Sequence, residues 1–240
     1  MAASKLAGRN LPASRELARR LRRLDPPYRV FDFGCGNGDL LRMLASALDP
    51  CEVDACDTDA ASVASLSRSR PYWRLVAGEG RRALAASPRH FDLIVLSHVL
   101  YYIPAEEWPD LFRLAGARLS VRGSVAVALV SGRSEPYQFE FASMMEAAGC
   151  GPASRSPDGK RLHAEDTSLF QDAHRESWAV HYGVQGSAKE LFSFLAFLYR
   201  CDEDIEHLVS RATLSAMPTA FTMLDRWTLL SREDCETFGA

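Results

Sequence analysis

Val30-Phe31-Asp32-Phe33-Gly34-Cys35-Gly36-Asn37-Gly38-Asp39-Leu40-Leu41 is the stretch that most limits what this chain can become. An apolar run leads into three glycines at alternate positions and then into leucines, so it reads as a buried strand, a tight turn and a helix start. Glycine reaches φ > 0 and has no Cβ, so the backbone of such a turn can come close to a flat, polar ligand. In an open α/β sheet a turn of this kind lies at a strand's carboxyl end, where ligand crevices form. A dinucleotide turn has G-x-G-x-x-G, with the pyrophosphate on the helix N-terminus. Here the third glycine comes one residue early and Asp39 follows it. An acid there repels a phosphate and suits a ligand without one. Asp32, inside the strand, is placed to neutralise a cationic group. Without any ligand, the same residues serve as a tight strand-to-helix turn.

The next segment, Cys51-Glu52-Val53-Asp54-Ala55-Cys56-Asp57-Thr58-Asp59, reads as a second strand ending in Asp57. An acid about 20 residues beyond a glycine turn takes ribose hydroxyls in dinucleotide folds, so a ribose-bearing ligand fits Asp57. Asp59 is the predicted N-cap of a helix from Ala60. Asp54 is expected to point away as a solvated strand residue.

The chain has 240 residues, which one α/β domain accommodates. Its 47% hydrophobic residues allow a sizeable core, and its net charge of −3 gives no electrostatic argument for nucleic acid or an anionic membrane. No apolar run approaches membrane-spanning length, and Lys5 and Arg9 are not followed by an apolar signal region. The six cysteines form no C-x-x-C and no histidine pair has zinc spacing, so no metal is expected. Buried, reduced thiols and a cytoplasmic location are the reading.

Further along, Ser14 is the predicted N-cap of a helix to Leu24, with Leu17, Leu21 and Leu24 inward, ahead of which residues 1–12 are mobile or a lid. Leu40, Leu41, Met43, Leu44 and Leu48 mark the helix after the glycine turn. Trp73 to Ala77 is a short third strand, and Glu79 after it is placed to accept the exocyclic amine of an adenine. Phe91 to Leu96 is a continuous apolar strand ending in Ser97-His98, as a parallel strand buried on both faces requires. Trp108, Leu111, Phe112 and Ala115 face inward on a helix from Pro104 to about Leu119, and Gly123 turns the chain into a strand from Val125 to Val130. This βαβαβαβαβ order predicts a doubly wound, mostly parallel sheet with helices on both faces. Beyond it, helices over Tyr137–Ala148 and His163–Ala173, a strand over Ser177–Val184, helices over Ala188–Tyr199 and Asp202–Ala216, and a closing strand at Trp227–Ser231 are expected. The helices before the last strand form an insertion over the sheet's carboxyl end, where a substrate pocket needs walls.

With Val30–Leu41, Asp57 and Phe91–Ile103 in view, the chain resembles the class I S-adenosylmethionine-dependent methyltransferases over roughly residues 28 to 130. That resemblance implies a seven-stranded Rossmann-like sheet in a single domain. Residues 1–27 would be an N-terminal helical lid, 28–131 the cofactor-binding core, and 132–240 the substrate-side helices and closing strands. It implies S-adenosylmethionine as cofactor, with Gly34, Gly36 and Gly38 around its amino acid part, Asp32 facing its ammonium and Asp57 its ribose. Thr58, Glu79, Gly80, Ser97 and His98 would complete the cofactor site.

The second half resembles the histamine N-methyltransferase type in Leu100-Tyr101-Tyr102, Val130-Ser131-Gly132, the His163–Tyr182 unit and the helical insertion. That type places substrate-binding side chains at positions matching His98 and Asp225. Both are amides in the family, so another small nucleophile than histamine is implied here. Tyr102 and Trp178 join them as candidate pocket residues. The Asn/Asp-Pro-Pro-Tyr motif of many DNA- and glutamine-methylating enzymes is absent after the fourth strand, which argues against nucleic acid and protein amide substrates and leaves a small molecule as the expectation. The expected reaction is in-line methyl transfer to N or O, in secondary metabolism by the character of the lid. His98, which titrates near neutrality, is either the base or a hydrogen-bonding group. The rival readings are a non-catalytic partner subunit that keeps the fold and a nucleotide-cofactor oxidoreductase. The oligomeric state is not specified by the sequence.

Overall fold

The computed structural model describes residues 7–130, 173–192 and 220–232. By its packing the chain forms two compact units. One comprises Arg9–Ala128, Leu162–Trp178 and Trp227–Ala240. The other comprises Met1–Gly8, Leu129–Arg161 and Ala179–Arg226.

The strands are β1 (Tyr28–Phe33), β2 (Cys51–Asp57), β3 (Arg74–Ala77), β4 (Phe91–Ser97), β5 (Leu119–Val130), β6 (Ala173–Gln185) and β7 (Ala220–Arg232). The helices are α1 (Ala7–Leu21), α2 (Asp39–Ala47), α3 (Ala60–Ser69), α4 (Gly80–Ala86) and α5 (Trp108–Ala117). A seven-stranded sheet has the order β3-β2-β1-β4-β5-β7-β6. β1 pairs in parallel with both β2 and β4, and β2–β3 and β4–β5 are parallel too. The strand order therefore reverses between β1 and β4, and in open α/β sheets the carboxyl ends of two such strands are where ligand crevices form. The glycine turn leaves β1 there and Ser97-His98 leaves β4 there.

Val30, Leu93, Ile94, Val95, Leu96, Val125, Ala126 and Val127 are all fully buried, as strands covered on both faces require. Phe31 and Phe91 meet with ring centroids 5.2 Å apart at 60°. On α5 the buried side chains are the four predicted, Trp108, Leu111, Phe112 and Ala115. Asp59 caps α3, its carboxylate accepting the Ala61 amide at 3.0 Å.

Four local expectations give way. α1 begins at Ala7, and Ser14 lies inside it with its hydroxyl donating to the Leu11 carbonyl at 3.0 Å. A serine that back-bonds one turn toward the N-terminus has no capping role left. Gly123 does not start a strand but sits within β5, where a Cβ would meet the Phe91 carbonyl. There two residues along β4, Phe91 to Leu93, correspond to five along β5, Leu119 to Ser124, a bulge that glycine accommodates. Asp54 is not solvated: it is 5% exposed, with the Arg89 guanidinium at 3.1 Å. β6 and β7 are each 13 residues, longer than their predicted cores. Of the helix expected from Ala188, residues 188–192 are described and helical, with Leu191 and Phe192 buried. The helices expected over 137–148 and 202–216, and nearly all of that over 163–173, lie outside the described residues.

Candidate active site

The turn after β1 is held by β2. The amides of Gly34 and Cys35 both donate to the Cys56 carbonyl at 2.9 Å, and the Gly36 amide donates to Asp57 Oδ2 at 2.7 Å. Asp57 Oδ1 accepts the Asp59 amide at 2.9 Å, and the Asp57 carbonyl accepts the Gly78 amide at 2.8 Å. One residue thus ties together the loops after β1, β2 and β3. A carboxylate has about four acceptor sites. Two are occupied here, which leaves capacity for hydroxyl donors.

The glycines differ in what they make room for. Gly34, Gly36 and Gly38 have φ of 83°, 52° and 74°, in the left-handed region. A Cβ at Gly34 would strike Val99 Cγ1, and one at Gly38 would lie 2.8 Å from both Leu66 methyls. A Cβ at Gly36 would meet nothing within 4 Å. Gly34 and Gly38 are therefore fixed by packing, and Gly36 borders open space. Gly80, expected beside the cofactor, is needed for another reason: a Cβ there would collide with the Phe33 ring.

Asp32 is 3% exposed and its Oδ1 has no hydrogen-bond partner among the described residues. Burial, helped by the charge of Asp57, pushes its carboxyl up to about 7. A buried carboxylate without a donor is unfavourable until a cation or donor reaches it. At the start of α2, Asp39 pairs with Arg42 and takes the Asn37 side-chain amide at 2.8 Å. The acid that argued against a phosphate is held in place there.

Glu79 sits where the sequence placed it, at the carboxyl end of β3, but its first task is structural. It is the N-cap of α4, and its two oxygens accept the Arg81 and Arg82 amides at 2.9 Å each. Thr58 is exposed beside Asp57.

Across the crevice, Ser97 ends β4 opposite Ala128 of β5. The next residue, His98, donates its amide to the Ala128 carbonyl at 3.0 Å and adopts φ 58°. A left-handed non-glycine residue is uncommon and marks a position held by its surroundings. Gly34 packs on Val99, so the glycine turn and the His98 turn are in direct contact. Leu100–Tyr102 then form a short 3-10 turn, which brings Tyr101 Oη to 3.3 Å from His98 Nδ1. Tyr102 is 57% exposed. The sequence analysis gives Tyr101 no role of its own, although i,i+3 spacing from His98 is a contact distance on any helical turn.

The two remaining expected substrate residues are placed differently. Trp178 stacks on Trp227 with centroids 5.9 Å apart at 15°, and the Arg20 guanidinium lies 4.2 Å from its ring centre. Arg20 is held by Glu16 and Glu176. The half-buried Trp178 ring thus packs on Trp227 with Arg20 beside it. Asp225 is buried in β7, at 1% exposure. Among the described residues no cluster of three metal-ligating side chains occurs, and no helix is long and apolar enough to cross a membrane. Burial lifts the Cys35 thiol well above the usual range and pushes Cys51 and Cys56 up to about 12, so these are inert thiols.

Comparison with known proteins gives one family. Residues 6–184 match the family described as Methyltransferase domain. Among solved structures, the plantazolicin methyltransferase BpumL, in complex with a pentazolic desmethylPZN analog and SAH, is 12% identical with a TM-score of 0.56, over 95% of this chain and 86% of that one. The cyclopropane synthase MmaA2 from Mycobacterium tuberculosis is 15% identical with a TM-score of 0.56, over 91% and 83%. The magnesium protoporphyrin IX methyltransferase ChlM from Synechocystis PCC 6803, with bound SAM, is 12% identical with a TM-score of 0.51, over 93% and 79%. These likenesses establish the fold. No curated protein matches the chain. The finer likeness of the second half to the histamine N-methyltransferase type is not carried by any of these matches.

Proposed function

Because the chain belongs to the methyltransferase-domain family, whose cofactor is S-adenosylmethionine, we propose that it methylates a small molecule at a nitrogen or oxygen nucleophile. The observation that carries this reading is buried Asp32, whose Oδ1 has no hydrogen-bond partner among the described residues, together with the open face of Gly36. Two acids, Asp32 and Asp57, make the crevice a place for a cationic, ribose-bearing, phosphate-free ligand. When bound, the cofactor supplies a methyl group on a sulfonium, which departs as a neutral thioether.

The residues then have limited tasks. Asp32 neutralises the ligand's ammonium, and Gly36 lets the backbone approach it. Asp57 accepts ribose hydroxyls on its remaining lone pairs. Thr58, the Gly78–Gly80 loop and Ser97 form the walls around the base. His98 takes the proton of an N–H or O–H nucleophile, and the turn holds that nucleophile in line at near-attack distance, where much of the acceleration arises. Tyr102 borders the entrance. BpumL, a plantazolicin methyltransferase, and ChlM, a magnesium protoporphyrin IX methyltransferase, support a small organic substrate by what their names state. Nucleic acid and membrane partners have no supporting feature in this reading.

The test is transfer of labelled methyl from S-adenosylmethionine to a panel of amines, phenols and carboxylates, read by mass. Methylation of an N–H or O–H acceptor, lost in His98→Gln, supports the reading. Methylation confined to carbon acceptors overturns the choice of nucleophile.

A further inference from the structure

From β1 to β3 the chain steps outward across the sheet, and from β3 it returns past β1 to β4. Right-handed crossovers therefore put α2 and α3 on one face of the sheet and α4 on the other. On its face α4 lies over β1, where Gly80 meets the Phe33 ring. The outer strip of β2 and β3 on that face stays open, and Val76 of β3 is 48% exposed. The strip is the floor of a cavity of about 560 Å³, with β3 as one wall and α4 as the other. Register places Phe31, Asp54 and Arg74 side by side across β1, β2 and β3. Glu79, Arg82, Ala83 and Ala86, at i, i+3, i+4 and i+7, line the helix side. Among the described residues, Gly34, Gly36, Gly38, Asp57, Ser97 and His98 take no part in the lining. The cavity thus differs from the cofactor crevice and shares with it only Gly78 and Glu79.

The cavity is apolar within and cationic at its sides. Phe31, Val76, Ala83, Ala86 and Pro88 give it short or flat apolar surface. Both carboxylates in the lining are already matched. Asp54 has the Arg89 guanidinium at 3.1 Å, and Glu79 has Arg81 at 3.3 Å besides the two α4 amides that it caps. Arg74 on the strand wall and Arg82 on the helix wall have no ion-pair partner among the described residues. We propose that this cavity is a second ligand site, for a small molecule with an apolar body and one carboxylate. The body lies on Phe31, Val76 and the α4 alanines, and the carboxylate accepts guanidinium hydrogen bonds from Arg74 and Arg82, one from each wall. Guanidinium suits that task, because its planar fork matches a carboxylate and it is more weakly hydrated than an ammonium.

Size and edge chemistry favour a small molecule over a protein partner. The volume falls within the range of small-molecule sites, about 300–1,000 Å³. Strand addition by a peptide or by a second copy fits worse, since β3 has four residues with Arg74 at its head, and short, charged edges resist pairing. The site does not rest on the methyltransferase reading.

The experiment is methyl NMR of the full chain titrated with 2-naphthoate, with and without S-adenosylhomocysteine. 2-Naphthamide is the uncharged comparison, and Arg74→Gln combined with Arg82→Gln is the test variant. Both arginines are exposed, so the variant is expected to fold. The expected result is a shift of the Val76, Ala83 and Ala86 methyls by 2-naphthoate at millimolar concentration or below, whether or not S-adenosylhomocysteine is present. The amide is expected to bind roughly tenfold more weakly or worse, and the variant to lose at least about tenfold for the acid. Its affinity for S-adenosylhomocysteine is expected to stay within about twofold, given side chains outside that ligand's crevice. Equal affinity for acid and amide, equal affinity of parent and variant, no shift at those methyls, or loss of the shifts when S-adenosylhomocysteine is added overturns the proposal. So does a chain that sediments as a dimer and becomes a monomer in Val76→Glu, which assigns the face to a second copy. Failure of the parent to bind S-adenosylhomocysteine counts against the methyltransferase reading alone, and the methyl shifts still report on the cavity.

Discussion

The Gly36 amide donates to Asp57 Oδ2 at 2.7 Å, and this bond joins the turn after β1 to the end of β2. It gives Asp57 a double duty, since the carboxylate that the sequence assigns to ribose also holds the glycine turn in shape. Asp57→Ala removes the acceptor of two backbone amides at once. The Asp59 amide is exposed and turns to water, but the part-buried Gly36 amide is left unpaired, at a cost of about 1–3 kcal/mol, so a drop in Tm is expected together with a loss of S-adenosylhomocysteine affinity. Thermal melts and calorimetric titration check this. Unchanged stability would show that the turn holds its shape without the side chain.

The three glycines of the turn and Gly80 separate packing from ligand room. Gly36→Ala pays only the left-handed backbone penalty, about 1–2 kcal/mol, because nothing stands within 4 Å of the new Cβ. It is expected to fold and to lose cofactor affinity by at least tenfold. Gly80→Ala drives a methyl into the Phe33 ring, an overpacking worth about 1–3 kcal/mol. It is expected to lower Tm more than it lowers affinity. If the two variants behave alike, the distinction between ligand space and core space at these positions fails.

Asp32 makes stability and binding depend on pH. Its folded-state pKa is raised from 3.8 to about 7. The unfolded chain ionises it first, so its contribution is fully present below 3.8 and is lost as pH rises through 7. At about 1.4 kcal/mol per unit, the effect is at most about 4 kcal/mol. Asp32→Asn is expected to flatten this part of the stability–pH curve and to make the ligand-free protein more stable than the parent at pH 8. A cationic ligand pulls the carboxyl back down, so binding near pH 6 releases up to one proton. Calorimetry in buffers of different ionisation enthalpy measures that release. Its persistence in Asp32→Asn would assign the proton to another group.

Glu79 is expected to matter through its helix. Glu79→Ala removes the cap of α4, a change worth about 0.5–2 kcal/mol, and lowers Tm with at most a modest loss of affinity. Glu79→Asp, which keeps a capping oxygen, is expected to recover part of the stability. A large affinity loss with an unchanged Tm would restore the adenine contact as its main role.

What was legible in the sequence was what local chemistry alone decides. The glycine turn, Asp57 at the end of β2, the apolar β4 and the Asp59 cap all depend on neighbours a few residues away, and the structure has each of them. What was not legible depends on partners far along the chain. Asp54 is buried because Arg89 reaches it, and Gly123 lies in a bulge because the Phe91 carbonyl passes beside it. Trp178 is claimed by Arg20 and Trp227, from the first helix and the last strand. Ser14 misled because a serine that caps and a serine that back-bonds inside a helix look alike in sequence. Tyr101 was within reach of the reading by its spacing from His98; the left-handed turn that aims one ring at the other was not.

Calorimetric titration of the full chain with S-adenosylhomocysteine, beside a nicotinamide dinucleotide, tests the central claim most directly. The account requires binding of the first and none of the second, with the first abolished in Gly36→Val. Binding of neither, or of the dinucleotide alone, would contradict it.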